Sequence, residues 1–239
     1  MRSTFSSSTL VRQFAAWSAA GMEMPAGDFA QRLGGWLGAV DAINLQSARM
    51  AIRHLDAPAS GRRPAVQALR EDVERVRTAL AQAIAREIPR AIDIEVGPGR
   101  RLRLGAEGPT AVRRDEDTGY PAFRQRHLEL QRHMDMMIAP LREHLREALS
   151  RASSELRQLA ALDATFEKVL APREQTLLPT AAALLEHRHR HLRAQAPPGD
   201  ETWRVQFERE WRDALHAELA LRLEPALGLL DALAETTEH

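Results

Sequence analysis

The stretch VQALREDVERVRTALAQA, from Val66 to Ala83, has the most regular hydrophobic pattern in this chain. Its apolar residues recur at alternating steps of three and four, which is the heptad spacing of a helix that packs along one seam. The seam consists of Val66, Leu69, Val73, Val76, Leu80 and Ala83. Such a seam fits a helical bundle within one chain or a contact between two copies, and the bundle is the more common solution. We therefore predict an all-α fold, an elongated multi-helix bundle.

The segments before this seam predict a pair of helices within residues 1–55 and a linker at residues 56–64. Leu10, Phe14 and Trp17 recur at helical spacing after Ser8, a suitable N-cap. A second amphipathic helix begins near Asp28, and its apolar side consists of Leu33, Trp36, Leu37, Val40, Ile43 and Met50. The linker has the composition DAPASGRRP, which is typical of a break between helices.

The long amphipathic helix is predicted to cover residues 65–90, and the hydrophobic period then changes. Residues 91–120 read as a loop or hairpin excursion. Apolar and polar residues alternate in AIDIEV and RLRL, so a small β-hairpin near residues 92–104 is compatible with the sequence. An isolated hairpin is marginal in water and would have to lie against the helices.

Residues 121–239 predict a C-terminal helical bundle that forms one domain with residues 1–90. One long apolar face, with Pro140 as a kink or break, consists of Met134, Ile138, Leu141, Leu145, Leu149, Ala152, Leu156 and Leu159. The chain is expected to turn at Asp163 or within residues 165–172 before the next helix.

The final helix is predicted to begin near Thr202 and to be interrupted by Pro225. Its apolar residues are Trp203, Phe207, Trp211, Leu215, Leu219, Leu223, Leu227 and Leu230. This helix is rich in carboxylates, whereas residues 62–103 are rich in arginine. We therefore expect the acidic helix to dock inside the fold.

Charge and composition limit the partners and the chemistry. The chain has 33 basic and 33 acidic residues, so binding to nucleic acid or to an anionic membrane would need a local patch. It has no cysteine, which excludes disulfides and thiolate zinc sites. The N-terminal stretch lacks the apolar run of a secretory signal, and no segment reaches the ~20 apolar residues of a membrane span. We predict a cytoplasmic protein without direct membrane insertion.

The stretch LLEHRHRHLRAQ, from Leu184 to Gln195, is the main candidate site. On a helical projection Arg188 falls near the middle of an apolar stripe. Cations near the C-terminal end of a helix interact favourably with its dipole, so one interpretation is purely structural. The other is an interaction or anion patch for phosphate or nucleic acid, formed by Arg188, Arg190, His187, His191, Arg62, Arg63, Arg100, Arg101 and Arg103.

A metal-dependent enzyme is a third possibility. His187 and His191 have the i, i+4 spacing that can chelate a transition metal, but Glu186 projects away and a third ligand would have to come from another helix. The chain has no GxxxxGK loop, no GxSxG elbow and no DDxxD pair. We therefore predict no catalytic residue, no metal and no cofactor.

Three parts of the chain carry a family resemblance. They are FSSSTLVRQF with FAQRLGGWLGAVDAINLQSA, FRQRHLELQRHMDMMIAPLREHLR with LAALDATFEKVLAPREQTLL, and LHAELALRLEPALGLLDAL. Together they resemble a proteobacterial family of unknown function, DUF3348. The resemblance carries over no active-site residue. It implies a gene neighbourhood with relatives of the MotA/ExbB proton channel and of the OmpA/MotB peptidoglycan-binding proteins, similar to that of Zorya-type antiphage systems.

The predicted function is therefore that of a non-enzymatic cytoplasmic adaptor or accessory protein. Its expected partners are other proteins, and the resemblance implies subunits of an inner-membrane, proton-driven motor complex of antiphage-defence type. The alternative is a nucleic-acid-binding effector or regulator that uses the arginine-rich patches. A homo-oligomer stays open, because a heptad seam looks the same within one chain and between two.

Overall fold

A computed structural model describes the chain at residues 9–19, 46, 50, 52, 65–86 and 119–237, with side chains at all of these except 18–19 and 171–179. Within this part of the chain the structure has five helices of defined extent and no strand. They are α1 (Thr9–Ala19), α2 (Val66–Ala85), α3 (Tyr120–Ala152), α4 (Ser154–Gln195) and α5 (Thr202–Thr237). The predicted all-α bundle is confirmed for the described residues.

Several predictions concern residues outside these ranges. The helix expected from Asp28, the linker at 56–64 and the hairpin near 92–104 lie mostly or wholly outside the described residues. The division of the chain into domains likewise stays a prediction. Among the described helices, none is both long enough and apolar enough to cross a bilayer.

Helices α3 and α4 form a long antiparallel hairpin. Near its closed end, Arg142 Nε on α3 donates to Asp163 Oδ2 on α4 at 2.8 Å. Near its open end, the Tyr120 hydroxyl donates to the Ala182 carbonyl oxygen. With 33 and 42 residues, these helices are about 50 and 63 Å long at 1.5 Å per residue, which gives the bundle its elongated form.

The other helices complete an alternating up-and-down arrangement. Helix α2 runs antiparallel to α3, since Arg126 Nη2 donates to the Ala83 carbonyl oxygen at 3.0 Å and the His144 imidazole lies 4.0 Å from Asp72. Helix α5 returns antiparallel to α4 and packs against all four other helices. The acidic C-terminal helix therefore packs inside the fold, and its Glu210 pairs with Arg188 of α4. Arg75 and Arg77 of α2 pair with carboxylates of their own helix.

The heptad seam of α2 is used inside the chain. Leu69, Val73, Leu80 and Ala83 are buried, and Ile84 joins them. Val66 and Val76 are half-buried and pack against the same core. Of the two uses that the sequence left open, the intramolecular seam is the one that the fold shows.

The predicted chain turn at Asp163 or within 165–172 is wrong. Helix α4 runs unbroken through this region, and the reversal occurs at Ser153, whose backbone is extended. The Ser153 hydroxyl accepts a hydrogen bond from the Leu156 amide at 3.1 Å and thereby caps α4. Asp163 lies within α4, and its carboxylate accepts hydrogen bonds from Arg142 and Arg146 of α3.

Neither Pro140 nor Pro225 ends its helix. A proline inside a helix costs about 3 kcal/mol, whereas each buried aliphatic side chain contributes about 1.5–3 kcal/mol. Around Pro140 the buried side chains of Ile138, Leu141 and Leu145 outweigh this cost.

The prediction that Leu227 lies on the apolar side of α5 is wrong. Leu227 is exposed, at 37%. After Pro225 the core side of the helix continues instead through Ala226, Leu229, Leu230 and Leu233. The buried residues Ala226, Leu230 and Leu233 follow one another at steps of four and three, so the helical spacing continues without Leu227.

Candidate interaction site

Arg188 lies at the junction of α4, α5 and α1 and is 8% exposed. Its Nε donates to Glu210 Oε2 at 2.7 Å and its Nη2 donates to Glu210 Oε1 at 2.8 Å. Two parallel N–H···O bonds are the strongest geometry for a guanidinium with a carboxylate. The arginine that the sequence phased toward the core thus has a carboxylate partner within the chain.

The surroundings of Glu210 favour its ionised form. Burial opposes ionisation, but hydrogen bonds from Arg188 and Gln206 hold the pKa of Glu210 below its usual value. The Gln206 amide donates to Glu210 Oε1 at 3.0 Å. The Glu210 carboxylate therefore accepts three hydrogen bonds, two from Arg188 and one from Gln206.

The same junction holds α1. The Arg188 guanidinium carbon lies 5.7 Å from the centre of the Trp17 ring, a cation–π distance. Gln13 Nε2 donates to the Glu210 backbone carbonyl oxygen at 2.8 Å. We call the surface formed by Arg188 and by α5 around Glu210 the α1 cradle.

The remaining residues of the candidate patch have different surroundings. Arg190 points outward and pairs with Glu186 one turn earlier. His187 and His191 are half-buried on the same helix. Arg188 and Arg190 are therefore neighbours in sequence with separate carboxylate partners. Arg62, Arg63, Arg100, Arg101 and Arg103 lie outside the described residues.

His189 was not among the candidate residues, yet it is the most buried of the three histidines, at 4%. Its ring packs edge-on against Trp203 and Phe207, with ring centres 5.0 and 4.9 Å away, and lies 5.5 Å from Tyr120. A Cβ at Gly119 would lie 3.1 Å from His189 Nε2, which leaves little room for a side chain there. In the sequence, the position of His189 at the edge of the apolar stripe of its helix indicates that its side chain could be buried.

A second buried polar cluster lies between α3 and α5, and sequence reasoning missed it. Glu218, 2% exposed, accepts from Gln131 Nε2 at 3.0 and 3.1 Å and from Arg222 Nε at 2.9 Å. Arg222 also pairs with Asp135. The signal was present, because His127 and Gln131 continue the apolar face of α3 at i, i+4 spacing before Met134.

The charge states in this cluster follow from its geometry. Burial raises the pKa of Glu218, while Arg222 and Gln131 oppose that rise. Burial and the nearby Arg222 charge lower the pKa of His127 to about 4, so its imidazole is neutral at pH 7. The amide nitrogen of Gln131 lies 3.1 Å from His127 Nε2. His127 Nδ1 has no hydrogen-bond partner among the described residues.

A third cluster fastens α3 to α4 near the Ser153 reversal. Asp163 accepts from both Arg142 and Arg146, the latter at 3.1 Å. Arg146 Nη1 also donates to Glu167 Oε2 at 2.6 Å. Within this cluster the charges of Arg142 and Arg146 are thus paired with the carboxylates of Asp163 and Glu167.

Comparison with known proteins places the chain in a family. No curated protein and no solved structure matches it. In the described residues no group of three or more histidine, aspartate or glutamate side chains is arranged to hold a metal ion. A family model described as "Protein of unknown function (DUF3348)" matches residues 1–235, and the chain therefore belongs to that family.

Proposed function

We propose that this protein is a non-enzymatic cytoplasmic adaptor that works through contacts with other proteins. The observation that supports it best is the pairing of the buried Arg188 with Glu210 of the same chain through two hydrogen bonds. A buried guanidinium whose donors are held by a carboxylate of the same chain is not available to nucleic-acid phosphates. Arg188 therefore serves the packing of helices, whereas the exposed Arg190 pairs only with Glu186 of its own helix.

We further propose that the adaptor is an accessory subunit of a proton-driven membrane motor complex of antiphage-defence type, similar to Zorya systems. Support for this part is the gene neighbourhood that the family resemblance implies. In such a complex the protein would bind cytoplasmic parts of a MotA/ExbB-like subunit.

Affinity purification after cross-linking in the native host tests this proposal. The tagged chain is expected to recover a MotA/ExbB-like subunit, and recovery should persist after nuclease treatment. Recovery without any such subunit would contradict the motor assignment.

The nucleic-acid alternative has its own test. Retention of labelled DNA and RNA is measured at low salt for the wild type and for Arg190→Glu with Arg193→Glu, which alters outward-facing residues of α4. Arg188 is unsuitable for this purpose because it is buried. We expect no retention by the wild type. Salt-sensitive retention that the double variant loses would favour the alternative over the adaptor.

A further inference from the structure

We draw no further inference here: the strongest candidate, the outward face of α5 where Leu227 and Gly228 are exposed beside the carboxylate of Glu224, is an acidic helix face, and nothing in the described part of the chain shows what would cover it.

Discussion

Arg188 and Glu210 neutralise each other where α4, α5 and α1 meet. Their side chains are 9% and 18% exposed, so removing one leaves the other poorly hydrated and unpaired. A buried polar group without its partner costs more than the pair gains over apolar side chains. Arg188 is therefore important for stability even if the pair adds little in net terms.

Arg188→Ala should lower the free energy of unfolding by about 2–4 kcal/mol, because Glu210 loses its partner and Trp17 its cationic neighbour. Urea denaturation measures this. Arg190→Ala is the matched control, since its pair with Glu186 is solvent-exposed, and it should cost less than about 0.5 kcal/mol. Arg188→Met with Glu210→Leu should recover much of the loss. Equal effects of the two single variants would contradict the role assigned to this pair.

His127 makes stability depend on pH. Its pKa is about 4 in the folded chain against 6.5 for the free imidazole, so the unfolded chain binds the extra proton first as the pH falls. The folded chain should therefore lose stability between pH 6.5 and pH 4, by up to ~3 kcal/mol from this residue. Glu218 is coupled to the same cluster, and its raised pKa acts in the opposite direction.

Thermal melts from pH 7 to pH 4 isolate the histidine contribution. His127→Gln should unfold with a shallower dependence on pH than the wild type, because it cannot take up the proton. The exposed His216→Gln serves as control and should keep the wild-type slope. A wild-type slope in the His127 variant would show that this imidazole is not the group responsible.

At the scale of helices, Ser153 sets where α3 stops and α4 starts. Ser153→Ala removes the oxygen that accepts the Leu156 amide, so the free energy of unfolding should fall by about 1 kcal/mol in urea denaturation. The neighbouring Ser154→Ala lies inside the helix and should be nearly neutral. A loss confined to the second variant would mean that the cap is not Ser153.

The helices that the sequence predicts well are those whose pattern is local. The buried sides of α1 and α2 follow directly from the spacing of their apolar residues, and α5 begins at the predicted Thr202. The reversal at Ser153 was missed because the apolar spacing continues across it from Leu149 to Leu156. Pro140 and Pro225 were overestimated as helix breakers because their cost is offset by packing between distant segments.

The candidate site was predictable in part. Helical phasing identified Arg188 as an arginine directed toward the core, which requires a carboxylate or a binding surface. It did not identify Glu210 or Trp17 as the partners, because they lie 22 residues after it and on the first helix, and only the tertiary fold brings them together. For the Glu218 cluster, the spacing of His127 and Gln131 before Met134 marked the α3 side, but only the tertiary fold brings Glu218 and Arg222 to it.

At the scale of the whole molecule, α5 organises the fold. It contacts every other described helix and carries both Glu210 and Glu218, which neutralise arginines at two separate positions. The pairs Arg188–Glu210 and Arg222–Glu218 place charged side chains of α4 and α5 in the interior of the bundle.

Quantitative co-purification from the native host tests the adaptor function most directly. The tagged wild-type chain, cross-linked in cells and treated with nuclease, should recover a MotA/ExbB-like membrane subunit well above an untagged control. Recovery of no protein partner, together with nuclease-sensitive recovery of nucleic acid, would contradict an adaptor that works through protein contacts.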